Sequence, residues 1–349
     1  MRTEHPLDAA RPARAATAGT ATAVAHPNIA LVKYWGKRDE RLVLPRTDSL
    51  SMTLDVFPTT TRVRLDPGAG QDTVILDGAP AKGEAQRRVT AFLDLVRERA
   101  GMSLRAVVDS RNTVPTGAGL ASSASGFAAL AVAAAAAYGL RLDPAGLSRL
   151  ARRGSGSASR SVFGRFAVWH AGDADATPRD ADLGSYAEPV PADLDPALVI
   201  AVVHAGPKSV SSRAAMRHTV ATSPLYAAWA AAAGDDLAGM RAALARGDLD
   251  AVGRIAEHNA LGMHATMLAA RPAVRYLSPA SVTVLDRVLE LRQDKVAAYA
   301  TMDAGPNVKV LCSRADAERV ADAVREAAPG SRVVVAGPGP GARLLHGGG

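Results

Sequence analysis

The sequence predicts a mixed α and β protein of two domains. Three observations lead there. The chain has 349 residues, enough for two domains of ordinary size. Stretches with the two-residue alternation of a strand are interleaved with stretches of helical period. Within the first half, a Gly-rich turn, Pro115-Thr116-Gly117-Ala118-Gly119, runs through Leu120 and Ala121 into a small-residue helix that opens with Ser122 and Ser123.

Taken in order, residues 22–36 read as a short strand, a turn at His26-Pro27-Asn28, and a second apolar stretch; Pro27 biases the residue before it to extended backbone. Residues 48–65 alternate as strand, and 74–77 form a short strand ending on Asp77-Gly78. Residues 86–100 place Val89, Phe92, Leu93 and Val96 on one helical face, and Gly101 suits the helix end. A strand at 104–108 feeds the Gly-rich turn. Helices follow at 122–138 and 144–152, the second with Asp143 as N-cap and Pro144 in its first turn. Strands are expected at 166–169 and 198–204. Helices are expected at 223–233, 235–246, 248–269 and 279–293, then a strand–turn–strand over 296–311, a helix at 315–328 and a strand at 332–336. Residues 1–20 read as a disordered extension and 341–349 as a mobile Gly-rich tail.

Composition narrows the function. The formal charge of +7 suits an anionic ligand. Nucleic acid is disfavoured, because no dense Lys/Arg block is interleaved with aromatics and only 4 % of residues are aromatic. The uncharged run 112–140 is long enough to span a bilayer, but its first half is polar and its second half mostly alanine, so it reads as a buried helix and no membrane association is expected. The single cysteine, Cys312, excludes an intrachain disulfide and fits a reducing cytoplasm.

Four stretches carry chemistry. Glycines before a helix N-terminus let backbone N–H groups approach an anion, and serine hydroxyls add donors to phosphate or oxygen to a metal; a plain turn before a buried alanine helix has the same composition. The stretch lacks the lysine of the common P-loop and the glycine spacing of the dinucleotide fingerprint. Residues 153–166, rich in Ser, Gly and Arg, run straight into a strand, which favours anion binding over a linker. Lys33, Tyr34, Trp35 and Lys37 put two ammonium groups around two aromatics, either as a snorkelling surface strand or as a phosphate site. Asp303 stands at the mouth of the turn Ala304-Gly305-Pro306-Asn307, where an Asx-turn and a catalytic carboxylate look alike. His258, Asn259 and His264 fall near one another on a helix and read as structural rather than as metal ligands.

Together the segments KYWGKRDERLVLPRTDSLSMTL, TVPTGAGLASSASGFAAL, RRGSGSASRSVFG and TMDAGPN resemble the mevalonate diphosphate decarboxylase family of the GHMP kinase superfamily, in order and rough spacing, from about residue 22 to residue 312. The resemblance implies an α+β, two-domain GHMP-kinase-like fold, with an ATP-binding domain over 21–203, a second domain over 204–340, a left-handed βαβ crossover and an active site in the cleft between domains. It implies ATP and Mg²⁺ as co-substrate and metal, mevalonate 5-diphosphate as substrate, isopentenyl diphosphate as product, and a homodimer. By that resemblance Asp303 is the catalytic base, with Lys33 beside it and Arg160 orienting substrate. Tyr34, Lys37, Ser155, Gly156, Ser157, Ser212 and Arg213 surround the substrate diphosphate. Pro115, Gly117, Ala118, Gly119, Leu120, Ala121, Ser122 and Ser123 bind ATP, with Ser123 on the metal. The sequence departs from the family at Arg46 and Asp48, on the nucleotide edge of the expected cleft, and at Ser159, where the family has cysteine. Rival readings are a relative acting on mevalonate monophosphate, a kinase without decarboxylation, and a non-catalytic metabolite binder.

Overall fold

The computed structural model describes residues 19–113, 122–203 and 210–345. The Gly-rich turn with Pro115, Gly117, Ala118, Gly119, Leu120 and Ala121 lies outside the described residues, as do residues 1–18 of the N-terminal extension, residues 204–209, and 346–349.

The first half opens with β1 (Thr20–Ala25) and β2 (Asn28–Val32), parted by His26-Pro27. Two short strands, β3 (Lys37–Asp39) and β4 (Leu44–Pro45), pair with each other before β5 (Ser49–Thr53) and β6 (Thr59–Asp66). In β6 burial alternates residue by residue, as a sheet with one covered face requires. Next come β7 (Thr73–Leu76), a turn at Asp77-Gly78 with both residues at positive φ, β8 (Ala79–Pro80), α1 (Gly83–Ala100) and β9 (Arg105–Asn112). β7 and β9 pair in parallel, the only such pair among the described strands, and α1 supplies the crossover that a parallel pair needs. α2 (Ser122–Ala137) is buried nearly all round. Its alanines let it lie close against β1 and β6, which a helix of larger residues could not do.

α3 (Pro144–Gly154) starts as its cap signals predict: the Asp143 side chain accepts from the Gly146 amide. The Ser/Gly/Arg stretch then folds into a single short helix, α4 (Ala158–Ser161), not a linker. β10 (Phe166–Trp169), α5 (Pro178–Gly184), β11 (Ala187–Pro189) and the fully buried β12 (Ala197–Val202) complete this part. The second half is α6 (Ser212–Thr222), α7 (Tyr226–Ala245), α8 (Leu249–Leu268), α9 (Pro279–Gln293), β13 (Ala298–Met302), β14 (Val308–Cys312), α10 (Ala317–Ala327), β15 (Arg332–Ala336) and β16 (Arg343–Leu345).

The strands form a six-stranded sheet ordered β16-β1-β6-β9-β7-β8, four-stranded sheets ordered β11-β10-β5-β2 and β13-β14-β12-β15, and the β3–β4 pair. One core lies between the six-stranded sheet and α1, α2 and α3. A second joins Ile29, Leu31, Leu50, Met52 and Phe166 to Leu198, Ile200 and Leu311 and to α7 and α8, so the two halves share continuous apolar packing. A third packs α9 and α10 on the other face of the second four-stranded sheet.

Three sequence readings need correction. The helices expected at 223–233 and 235–246 are one helix, α7, running through Gly234; such a glycine costs about 1 kcal/mol, which tertiary packing overrides. α6 lies between the expected strand at 198–204 and the expected helix at 223–233, where the sequence reading assigned no element. The domain boundary at 203 divides a sheet, because β12 pairs with β14 and β15; conversely, residues 343–345 of the expected tail form β16 and pair with β1. Among the described residues no helix is long and apolar enough to cross a membrane.

The packing of α2 generates a prediction. Ala131 is wholly buried. Ala131→Leu inserts volume where alanine sets the helix–sheet spacing, and should lower stability by about 1–3 kcal/mol in urea unfolding. An unchanged midpoint would show that alanine is not required there.

Candidate active site

The site assembles where β2 and β13 end. Asp303 follows β13, and its carbonyl accepts from the Gly305 amide at 2.8 Å in a tight turn. Its side chain does not serve that turn. Oδ1 accepts from Lys33 Nζ at 2.9 Å and Oδ2 from Lys309 Nζ at 3.1 Å. Both lysines are buried. Burial alone would raise the Asp303 pKa, but the charges and hydrogen bonds of Lys33 and Lys309 outweigh it and hold the carboxyl well below the usual carboxylate range. Burial pushes Lys33 the other way, down to about 8, against the opposing pull of Asp303.

Neighbours fix these groups. The Lys33 ammonium also donates to the Ala30 carbonyl at 2.7 Å, and its backbone N–H to Asn259 Oδ1 at 2.7 Å. Asn259 in turn donates to Asp236. His264 Nε2 donates to the Asp303 carbonyl at 3.2 Å; burial first, and then the Lys33 charge, lower its pKa to about 4, so it is neutral near pH 7. His264 and Asn259 are structural, as the sequence suggested, and what they support is the site.

Arg160, on α4, is buried and donates to Ser49 Oγ at 2.6 Å and to Asn28 Oδ1 at 3.4 Å. Its guanidinium lies 5.7 Å from the centre of the Trp169 ring. Asn28 also donates to the Ser157 carbonyl and to Ser161 Oγ, so one amide orients both the arginine and the loop before it. Arg160 Nε and Tyr34 Oη are buried without a hydrogen-bond partner among the described residues. Such atoms carry a desolvation cost that a polar ligand would relieve. Burial pulls the arginine down to about 10, which leaves it charged at neutral pH.

Gly156 is required by close approach. A Cβ there would lie 2.8 Å from the Trp169 ring and 3.0 Å from the Tyr34 hydroxyl. Gly36 sits at φ +116°, with Tyr226 Oη in the space a Cβ would fill.

The expected phosphate serines meet. Ser123 Oγ, in the first turn of α2, lies 3.2 Å from Ser155 Oγ, and Ser155 lies 3.4 Å from Ser157 Oγ. Beside Ser122 and Ser123 a cavity of about 270 Å³ opens, lined among others by Thr59, Ser110, Asn112, Arg88 and Phe127. The remaining expected residues stand further out. Lys37 pairs with Glu40 at 2.6 Å. Ser212 opens α6, and Arg213 reaches Glu84 of α1 at 3.9 Å, an exposed contact between the two halves. Of the three departures, Asp48 accepts from the Ala171 amide and faces His170, and the Arg46 backbone N–H donates to the Gly36 carbonyl. Asp48 thus holds a strand end in place. Ser159 donates to the Gly156 carbonyl at 2.7 Å.

Sequence reasoning missed Asn28, Ser49 and Lys309. The first two carry no signal of their own. Lys309 does: a lysine amid Val308, Val310 and Leu311 has no water to reach from a buried strand.

Comparisons with known proteins show the family. Residues 25–180 match the family model of the diphosphomevalonate decarboxylase-like N-terminal domain, and residues 198–336 match that of the mevalonate 5-diphosphate decarboxylase C-terminal domain. The chain is 36 % identical over 327 residues to the diphosphomevalonate decarboxylase of Ganoderma lucidum, covering 87 % of this chain and 81 % of that protein. It is 34 % identical over 307 residues to the phosphomevalonate decarboxylase of Haloferax volcanii, covering 88 % and 92 %. Among solved structures, MDDEF in complex with MVAPP, AMPPCP and magnesium superposes with a TM-score of 0.88 at 43 % identity, covering 94 % of this chain and 99 % of that one.

The Lys33 environment predicts a pH dependence. Lys33 holds its proton less tightly when folded than when unfolded, about 8 against an ordinary 10.5. Between those values the unfolded state binds more protons at this site, so stability rises with pH there. In urea titrations wild type should gain on Lys33→Met as pH climbs from about 8 to about 10.5. A constant difference would mean that Lys33 titrates alike in both states.

Proposed function

The chain belongs to the mevalonate diphosphate decarboxylase family, and from that premise we propose that it is an ATP-dependent decarboxylase of mevalonate 5-diphosphate. The observation that carries the reading is partly buried Asp303 paired with buried Lys33, together with buried Arg160 and a row of serines that begins at Ser123. The reaction transfers the γ-phosphoryl group of ATP to the tertiary 3-hydroxyl. Loss of phosphate and CO₂ then leaves isopentenyl diphosphate, with ADP.

Each residue has a role that its chemistry supports. Asp303 is ionised and rigidly held, and accepts the hydroxyl proton in the transition state. A carboxylate so strongly stabilised is a weak base, so most of its effect is orientation and charge. Lys33 keeps it ionised. Arg160 offers Nε and a planar fork to the substrate's anionic groups, with Tyr34 Oη as a further partner. Lys37, Ser155, Gly156, Ser157, Ser212 and Arg213 form the diphosphate end. Ser122 and Ser123 take the ATP phosphates, with Pro115, Gly117, Ala118, Gly119, Leu120 and Ala121 as the loop before them.

Among the described residues no three His, Cys, Asp or Glu side chains cluster as a metal site. In this reading a divalent cation would be held by hydroxyl and phosphate oxygens, a donor set that suits Mg²⁺, with Ser123 proposed as one of the donors. Bound Mg²⁺ would neutralise charge on the phosphates. Cytoplasmic location and a homodimer belong to the same proposal; the single cysteine, buried in β14, is compatible with the first, and sedimentation velocity tests the second.

The similarity to the Haloferax volcanii protein keeps mevalonate monophosphate as the second reading. A coupled assay for ADP and CO₂ decides between the two substrates. We expect mevalonate diphosphate to be strongly preferred; equal turnover of the monophosphate would overturn that preference, and ADP without CO₂ would overturn decarboxylation. Asp303→Asn should lower kcat by at least about a hundredfold with little change in ATP affinity. Arg160→Lys should lose activity although charge is kept, and Ser123→Ala should impair handling of ATP.

A further inference from the structure

Lys309 occupies the middle of β14, paired across the sheet with Ile200 and Thr301. Val308 and Val310 face the α9–α10 core, and Lys309 lies on the opposite face with Leu311. Its side chain is 1 % exposed. An ammonium so placed costs several kcal/mol unless it is paired and hydrogen-bonded. Lys309 meets that condition through Asp303 Oδ2 at 3.1 Å and the Asn307 carbonyl at 3.3 Å. Since Lys33 holds Oδ1, two cations from opposite halves of the chain each take one oxygen of the same carboxylate. A carboxylate held at one oxygen can still rotate about its Cβ–Cγ bond, whereas one held at both is locked.

We propose that Lys309 is a positioning residue for the reaction: it locks the Cβ–Cγ torsion of Asp303 and supplies the second of the two ammonium groups paired with it. The inference rests on the decarboxylase reading for its catalytic meaning, though not for its geometry. Among the described residues, the charged and titratable groups around Asp303 are Lys33 after β2, Lys309 on β14, Arg160 of α4 acting through space, and His264 of α8, which contacts the Asp303 carbonyl. Removing Lys309 leaves Lys33 as the one cation among the described residues in contact with the carboxylate, so the carboxyl should accept a proton more readily.

Carboxyl ¹³C NMR of enzyme labelled at aspartate tests this without substrate, with the resonance assigned by its loss in Asp303→Asn. In wild type the signal should stay at its ionised position down to about pH 4. In Lys309→Met its midpoint should rise by about one pH unit or more. The acid limb of kcat/KM for mevalonate diphosphate should move the same way, with kcat down about tenfold and KM for ATP unchanged. Lys309→Gln, which keeps a donor for Oδ2 but no charge, should show the same rise in midpoint with a smaller loss in kcat, and serves alone if the methionine variant does not fold. A midpoint and acid limb unmoved in the variants overturn the proposal. Wild type inactive toward mevalonate diphosphate would instead overturn the functional reading and leave the NMR result to decide the role of Lys309.

Discussion

A partly buried carboxylate held between two buried lysines is the constraint on which the site depends. Taking any one of these charges out of water costs several kcal/mol, and removing one member of such a group costs about 3–5 kcal/mol because its partner is left uncompensated. Asp303, Lys33 and Lys309 are therefore tolerable only together and only in good geometry. Lys33 enters from β2 and the other two from the β13–β14 hairpin, so the requirement couples the first half of the chain to the second. The shared apolar core around Ile29, Ile200 and Leu311 supplies the rigidity that the ion group needs.

The same group explains an affinity for anions better than the net charge does. Lys33, Lys309 and Arg160 are three buried cations near one carboxylate. The imbalance is unfavourable in the empty protein and is relieved when a polyanion arrives. The formal charge of +7 is spread over an arginine-rich surface, where salt screens it. The buried imbalance is screened far less, and it sits with Arg160 Nε and Tyr34 Oη, buried polar atoms that have no hydrogen-bond partner among the described residues.

Support for the site comes from residues with unremarkable sequence signals. Asn28 binds the α4 loop and Arg160 at once, Asn259 fixes the Lys33 backbone, and His264 stays neutral while it holds the Asp303 carbonyl. Each is an uncharged group hydrogen-bonded to a group that carries or positions charge. That division lets the cations stay close together without further like-charge neighbours.

By itself the sequence determined what local rules control. The helix start at Asp143 followed from a side chain that caps its own backbone, and the β13–β14 turn followed from Gly305-Pro306. The ordered motifs also determined the family and hence the reading of Asp303, Lys33 and Arg160. Tertiary structure alone decided the rest. It merged 223–233 and 235–246 into one helix across Gly234, because burial on one face outweighs a single residue's propensity. It moved β12 into the second half and returned β16 to the first, since strand pairing joins segments that sequence proximity does not. And it separated the two readings of Asp303. An Asx-turn and an ion-paired carboxylate differ only in what lies 270 residues earlier and six residues later in the chain, and only the folded protein brings Lys33 and Lys309 to the two oxygens.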